Sequence, residues 1–320
     1  MKTKIAKTNP PPQPASPPPA PANLPANPGL PADAFSQFNA KTTQWNIANA
    51  RGLVYAANLA YGASVPGIQA GAAPWGFKTG RVTVIAPSNT VLQAVVLGGD
   101  DRIVVAFRGT RPDQLHDWMA DFEISQSPFT DYFTAPDVGS VHDGFAQLLA
   151  KSWPAVRDAV RGFQDNGQSL WITGHSLGGA LAVLATAAFT FAERMPVNGL
   201  YTFGQPRVGD LNFCAQCDSH FGDLMFRFVN NEDIVTRVPP RIVPHLPPDF
   251  YGHSGQLRFF DGDGALHSDE HFWNAFLINT EVGFEHMEEL LSAPVADHAL
   301  IPGYATNIEK YIAAGTPPLT

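Results

Sequence analysis

Three hundred and twenty residues, 44% hydrophobic and 15% charged, are enough to bury a full core, and one large domain is expected rather than two. The formal net charge is −9. The first 32 residues carry three lysines and no acid, so residues 33–320 hold 17 basic against 29 acidic groups, which argues against nucleic acid as a partner. No apolar run is long enough to cross a membrane, so no integral membrane segment is expected, and Cys214 and Cys217 lack the further ligands that a zinc site requires.

In chain order, 11 of the 29 prolines fall between Pro10 and Pro31, which rules out a helix or a core strand there. Residues 1–33 are expected to form an extended arm ahead of a single domain over 34–320. The basic start runs straight into prolines with no apolar stretch of the kind a secretory signal needs, so localisation stays open. The spacing predicts a helix over 35–61, then strands at 81–85, 91–97 and 102–107. A long helix follows at 144–164, a strand at 169–173 and a helix at 180–188. Beyond these come a strand at 200–203, a helix near 209–221, strands at 225–229 and 256–260, and a final helix at 304–314. Alternation of this kind indicates an α/β fold with a mostly parallel central sheet flanked by helices and a more antiparallel opening section.

The run Gly174-His175-Ser176-Leu177-Gly178-Gly179 stands between an apolar strand and an Ala/Leu-rich helix. Such a turn lifts a serine hydroxyl clear of the sheet edge, in front of the unpaired N–H groups of a helix N-terminus. Ser176 is therefore the candidate nucleophile, and Leu177, the next residue, one candidate oxyanion donor. The other is Thr110, just after the Arg108-Gly109 turn at the end of a strand; the alternative is that Thr110 merely ends that strand.

Directly downstream, Leu115, Trp118, Met119 and Phe122 recur at i, i+3, i+4 and i+7 in the segment 113–123. This amphipathic helix is either a fixed core helix or a lid whose apolar face covers the site in water and turns outward on lipid.

A serine hydroxyl needs a neutral imidazole to take its proton and a carboxylate to orient that imidazole. In α/β hydrolases the chain order is Ser, acid, His. Asp233 follows the strand 225–229 by a short polar turn and fits the acid, with Glu232 its nearest competitor. Among the later histidines, His253 precedes a strand, and His267 and His271 lie among acids whose offsets miss those of a calcium loop. His298 falls just before the final helix, where the third member belongs.

Seven segments in order carry a family resemblance: Phe107-Arg108-Gly109-Thr110, Trp118 with Asp121, Val141-His142-Asp143-Gly144-Phe145, Gly174 to Ala180, Gly204-Gln205-Pro206-Arg207-Val208-Gly209, Asn231 to Val235 with Pro239, and Asp297-His298 ending in Tyr304. Over roughly residues 35–315 the chain resembles the fungal-type class 3 lipases. The resemblance implies an α/β-hydrolase fold and carboxylic ester hydrolysis without cofactor or metal, on a lipid or ester substrate, with transient contact to a lipid interface. It assigns Ser176 as nucleophile, Asp233 as acid, His298 as base, and Thr110 with Leu177 as oxyanion hole. The alternatives are a small-ester or feruloyl-type esterase on the same fold, or a catalytically idle lipid-binding protein. The stretch 262–296 is longer and more acidic than the resemblance would lead one to expect, and the Pro-rich arm has no counterpart in the family's common core.

Overall fold

The computed structural model describes residues 30–62, 64–86, 93–120, 124–243, 248–268, 295–316 and 319. Its central feature is an eight-stranded sheet. The chain enters through Val82–Ile85 (β1), Ala94–Gly98 (β2) and Arg102–Phe107 (β3), which pair antiparallel in that order. The sheet continues in parallel through Ser169–His175 (β6), Gly199–Phe203 (β7), Met225–Asn230 (β8) and Gln256–Phe260 (β11). Leu266–His267 (β12) closes the far edge antiparallel to β11. Two short hairpins stand apart: Gln126–Pro128 (β4) with Ser140–His142 (β5), and Ile242–Val243 (β9) with Asp249–Phe250 (β10).

Both faces of the sheet are covered, so the central strands read as mostly apolar runs rather than alternating ones. Along β3, Ile103, Val105 and Phe107 join the core beneath Asp143–Phe163 (α4) and Leu177–Ala187 (α5). Val104 and Ala106 point the other way, into the core shared by Ile47–Leu59 (α1) and Thr306–Ala313 (α7), the helix after Leu211–Phe221 (α6). Arg51 of α1 ties these two helices together, its Nε 2.7 Å from Glu309, while its guanidinium also reaches Asp33 at 3.0 Å. Among the described residues no helix is long and apolar enough to cross a membrane.

The strand expectations fall on observed strands, but the first helix is shorter than the spacing predicts. Residues 32–37 form turns, and α1 starts only at Ile47, where the Asn46 side chain accepts the Asn49 amide at 3.1 Å as an N-cap. The reason is tertiary: Phe35, Phe38 and Phe77 surround the Arg102 guanidinium at 5.2–5.3 Å, a cation cage that a helix through this segment would pull apart. Of the expected Pro-rich arm, residues 1–29 lie outside the described residues, whereas the Pro31 carbonyl accepts Trp75 Nε1 at 2.8 Å. The final helix also differs, since a wide π turn over Leu300–Ala305 leads into α7. After Val65–Ala72 (α2), the amphipathic segment becomes a 3₁₀ turn, Pro112–Gln114, followed by Leu115–Ala120 (α3). Phe122 and most of the acidic stretch 262–296 lie outside the described residues.

Candidate active site

The parallel strands end at one edge of the sheet, and there β6 turns sharply into α5. Ser176 occupies the turn at φ 60°, ψ −133°, fully buried. Its flanking glycines are dictated by close approach. A Cβ on Gly174 would lie 2.1 Å from the Gly178 carbonyl oxygen, and one on Gly178 would lie 2.3 Å from that of Phe107. The helix can therefore sit directly against β3 and β6, which holds the serine at a fixed point.

Asp233 follows β8 and caps a short turn, Ile234–Arg237, by accepting the Val235 amide at 2.9 Å. Its carboxylate lies 2.8 and 2.9 Å from His298 Nδ1, and both residues are buried. The Tyr304 hydroxyl donates to the same carboxylate at 2.5 Å. Burial by itself would raise the Asp233 carboxyl, but the charge and hydrogen bond of His298, with the hydroxyl of Tyr304, hold it below the ordinary carboxylate range. The segment bearing His298 is anchored one residue earlier: the Asp297 carboxylate accepts from Asn231 Nδ2 at 2.9 Å and from the Glu232 amide at 3.3 Å. Glu232, the possible competitor for the acid, thus contributes its backbone rather than its carboxylate. The His298 ring stacks on His175, neighbour of Ser176, with centroids 4.5 Å apart. Ser176 Oγ and His298 Nε2 are both buried polar atoms without a hydrogen-bond partner, and Thr110 Oγ1 is a third. Unpaired polar atoms in a core are costly, and three on adjoining elements mark a place kept for a reacting group.

Thr110 and Leu177 lie on either side of the serine. The preceding turn approaches it so closely that a Cβ on Gly109 would stand 3.0 Å from Ser176 Cβ. The Leu177 N–H is among the leading amides of α5, which have no intrahelical carbonyl to bond. Over the acid loop lies α3: Leu115 and Met119 are buried against Ile234 and Val235, with Trp118 half-buried beside them. Of the other histidines, His253 is distant in role. Its Nε2 bonds the Thr236 carbonyl at 2.8 Å, and His267 pairs with Asp261 at 2.8 Å within a turn. Cys214 and Cys217 are buried free thiols, that of Cys214 pushed up to about 12 by burial, which leaves it unreactive.

Tyr304 and Asp297 had been visible only as the ends of a motif. Sequence position gives no sign that the tyrosine reaches Asp233, 71 residues earlier, or that the aspartate anchors the histidine.

Burial also sets a pH dependence of stability. It drives the His175 imidazole down to about 3 and the His253 imidazole well below its ordinary range, so both stay neutral in the folded protein. The unfolded chain protonates them near pH 6.5 and so binds more protons below that value. Stability is accordingly complete above about pH 6.5 and declines as pH falls toward the folded values, by up to about 1.4 kcal/mol per pH unit for each group. Urea midpoints measured between pH 7.5 and 4.5 should fall steadily on the acid side; a flat profile would contradict neutral burial of these two rings.

With this geometry established, comparison with known proteins is informative. The profile of the class 3 lipases matches residues 104–243. The chain is 30% identical over 206 residues to a secreted mono- and diacylglycerol lipase of Malassezia globosa, a match covering 60% of this chain and 68% of that one. It is 29% identical over 204 residues to a triacylglycerol lipase of Arabidopsis thaliana, covering 50% of this chain but only 37% of the plant protein. Among solved structures, the triacylglyceride lipase of Rhizomucor miehei superposes with a TM-score of 0.55 at 23% identity, over 77% of this chain and 89% of that one, a likeness of fold. The protein has the α/β-hydrolase fold, and it belongs to the class 3 lipase family.

Proposed function

We propose that the protein is a serine ester hydrolase that cleaves acylglycerols, with Ser176 as nucleophile, His298 as base and Asp233 as acid. The observation that carries the reading is the buried Asp233–His298 pair beside a serine hydroxyl left without a partner on a sharp strand-to-helix turn. The relatives named above, lipases of acylglycerols, support the choice of substrate class.

In this mechanism His298 Nε2 takes the Ser176 hydroxyl proton as Oγ attacks the ester carbonyl carbon. Because Nδ1 donates to Asp233, the Nε2 lone pair is the one presented, and the carboxylate stabilises the imidazolium that forms. The carbonyl oxygen becomes an oxyanion facing the N–H groups of Leu177 and Thr110, with the Thr110 hydroxyl as a further donor. The imidazolium then protonates the departing glycerol oxygen, leaving an acyl group on Ser176. Water attacks that acyl carbonyl, giving its proton to His298, and the fatty acid departs as the proton returns to Oγ. Labelling with a p-nitrophenyl alkylphosphonate tests the assignment. Stoichiometric loss of esterase activity with the added mass on Ser176 is expected, and a label elsewhere, or none, would refute it.

The cover over the acid loop defines a second expectation. The burial of Leu115 and Met119 on Ile234 and Val235, with the apolar face of α3 shielded from water, supports reading α3 as a lid. Transfer of that face onto lipid restores its burial at about 25 cal/mol per Å² of apolar area. Hydrolysis of a long-chain ester should then rise disproportionately once the substrate exceeds its solubility limit. Trp118→Ser should blunt that rise while sparing turnover of a soluble short ester. Smooth saturation, the same in both proteins, would make α3 a fixed helix and the protein an esterase of small esters.

A further inference from the structure

Two polar side chains that the mechanism does not use lie directly behind the base. His175 Nε2 is 2.7 Å from the backbone carbonyl oxygen of His298, and its Nδ1 is 2.8 Å from the Tyr61 hydroxyl. A carbonyl oxygen only accepts, so Nε2 carries the proton. In a neutral ring this leaves Nδ1 as an acceptor, and the Tyr61 O–H must donate to it. The phenol oxygen in turn lies against the Gly109 backbone. That packing is tight: a Cβ on Gly109 would come within 2.4 Å of the Tyr61 oxygen and 2.3 Å of the His175 carbonyl oxygen. A directional chain results, from Tyr61 O–H to His175 and from His175 Nε2–H to the main chain of His298, with the Gly109 turn packed against its start. It joins the turn before Thr110, the residue before Ser176, and the base.

We propose that Tyr61 and His175 are positioning residues: the Tyr61 hydroxyl fixes the tautomer of His175, and His175 fixes the backbone of His298 so that its imidazole meets Ser176. The inference rests on the reading of His298 as base. Two features of the site support it. The His298 ring has no bonded partner at Nε2, so its placement there depends on what holds its backbone and its Nδ1. Asp233 serves the second of these, and His175 the first. In addition, His175 is stacked on His298 and buried, so burial and the charge of His298 keep it neutral throughout the cycle, with its Nε2–H available as a donor. Without the Tyr61 hydroxyl the opposite tautomer becomes accessible, which would turn a lone pair toward the His298 carbonyl and push the base away.

The test combines imidazole nitrogen NMR with steady-state kinetics on a soluble p-nitrophenyl ester, for the parent, Tyr61→Phe, His175→Gln and His175→Leu. In the parent, His175 should show protonated Nε2 and bare Nδ1, and Tyr61→Phe should shift this toward the other tautomer. Tyr61→Phe should lower kcat by about tenfold with KM changed by less than about twofold, the scale of one lost hydrogen bond acting through placement. His175→Leu should lower kcat by about 100-fold, the scale of a base displaced by roughly 1 Å. His175→Gln, whose Nε2 can still donate to the His298 carbonyl, should recover most of that loss. A parent tautomer with the proton on Nδ1 would overturn the proposal. So would a Tyr61→Phe kcat within twofold of the parent, or a His175→Gln variant as slow as His175→Leu, which would mean that packing alone matters. A parent protein without esterase activity would instead refute the hydrolase reading, and the tautomer measurement would still decide the hydrogen-bonded chain.

Discussion

Ser176→Ala lowers kcat on a soluble ester by about 1,000-fold or more and leaves the unfolding midpoint close to that of the parent. The two parts of this expectation have one cause. In the folded protein Ser176 Oγ bonds to nothing, so its removal breaks no native interaction and opens only a very small space. What is lost is the covalent step, and the remaining turnover comes from binding and the oxyanion donors alone. Rates for the purified variant, with the parent measured in parallel and the fold checked by circular dichroism, decide the matter. Turnover near that of the parent would remove Ser176 from the mechanism.

His298→Ala is expected to be as damaging as loss of the serine, whereas His253→Ala keeps kcat and loses stability. His298 is buried and His253 half-buried, and the two differ in what they face. His298 bonds the Asp233 carboxylate through Nδ1 and leaves Nε2 without a partner, while His253 spends Nε2 on the Thr236 carbonyl. His298 is also the ring that stacks on His175, the neighbour of Ser176. The His253 substitution opens a cavity and strands that carbonyl, a loss of about 1–3 kcal/mol that should appear as a lower urea midpoint. An inactive, folded His253→Ala beside an active His298→Ala would show that the base had been assigned to the wrong residue. His271, also in the long acidic stretch, lies outside the described residues.

Much of the site was legible because its signals are local. The elbow announces itself through Gly174 and Gly178 between an apolar strand and an Ala-rich helix, and the glycines prove to be required by contacts of 2.1 and 2.3 Å. Asp233 and His298, which the structure brings within 2.8 Å of each other, stand out by rank order and by their places after a strand and before a helix. The strands of the sheet were legible because burial on both faces makes them short runs rich in β-branched and aromatic residues. What escaped was set by distant partners. Phe35 and Phe38 fit a helical spacing, but Arg102 draws them into a cage, and no feature of residues 35–46 discloses that. Tyr61 follows α1 by two residues, ahead of a glycine- and alanine-rich stretch, and its partner His175 is 114 residues away. Tyrosine there looks the same whether it closes a core or holds an imidazole. The lid expectation was legible only as amphipathicity, which specifies a buried face without specifying motion.

At φ 60° and ψ −133°, Ser176 occupies backbone territory that suits glycine and strains a residue with a side chain, at a cost of about 1–3 kcal/mol. Glycine at this position would relax the turn and, under the proposed mechanism, abolish the chemistry in one step. Stability and turnover therefore exert opposite selection on a single codon. A laboratory evolution campaign scored on heat resistance alone would be drawn toward glycine there, and would discard the enzyme while improving the protein. The same bias would act on a duplicated copy released from the need to hydrolyse esters: its elbow serine should be among the first residues to drift, well before the glycines that hold the turn together.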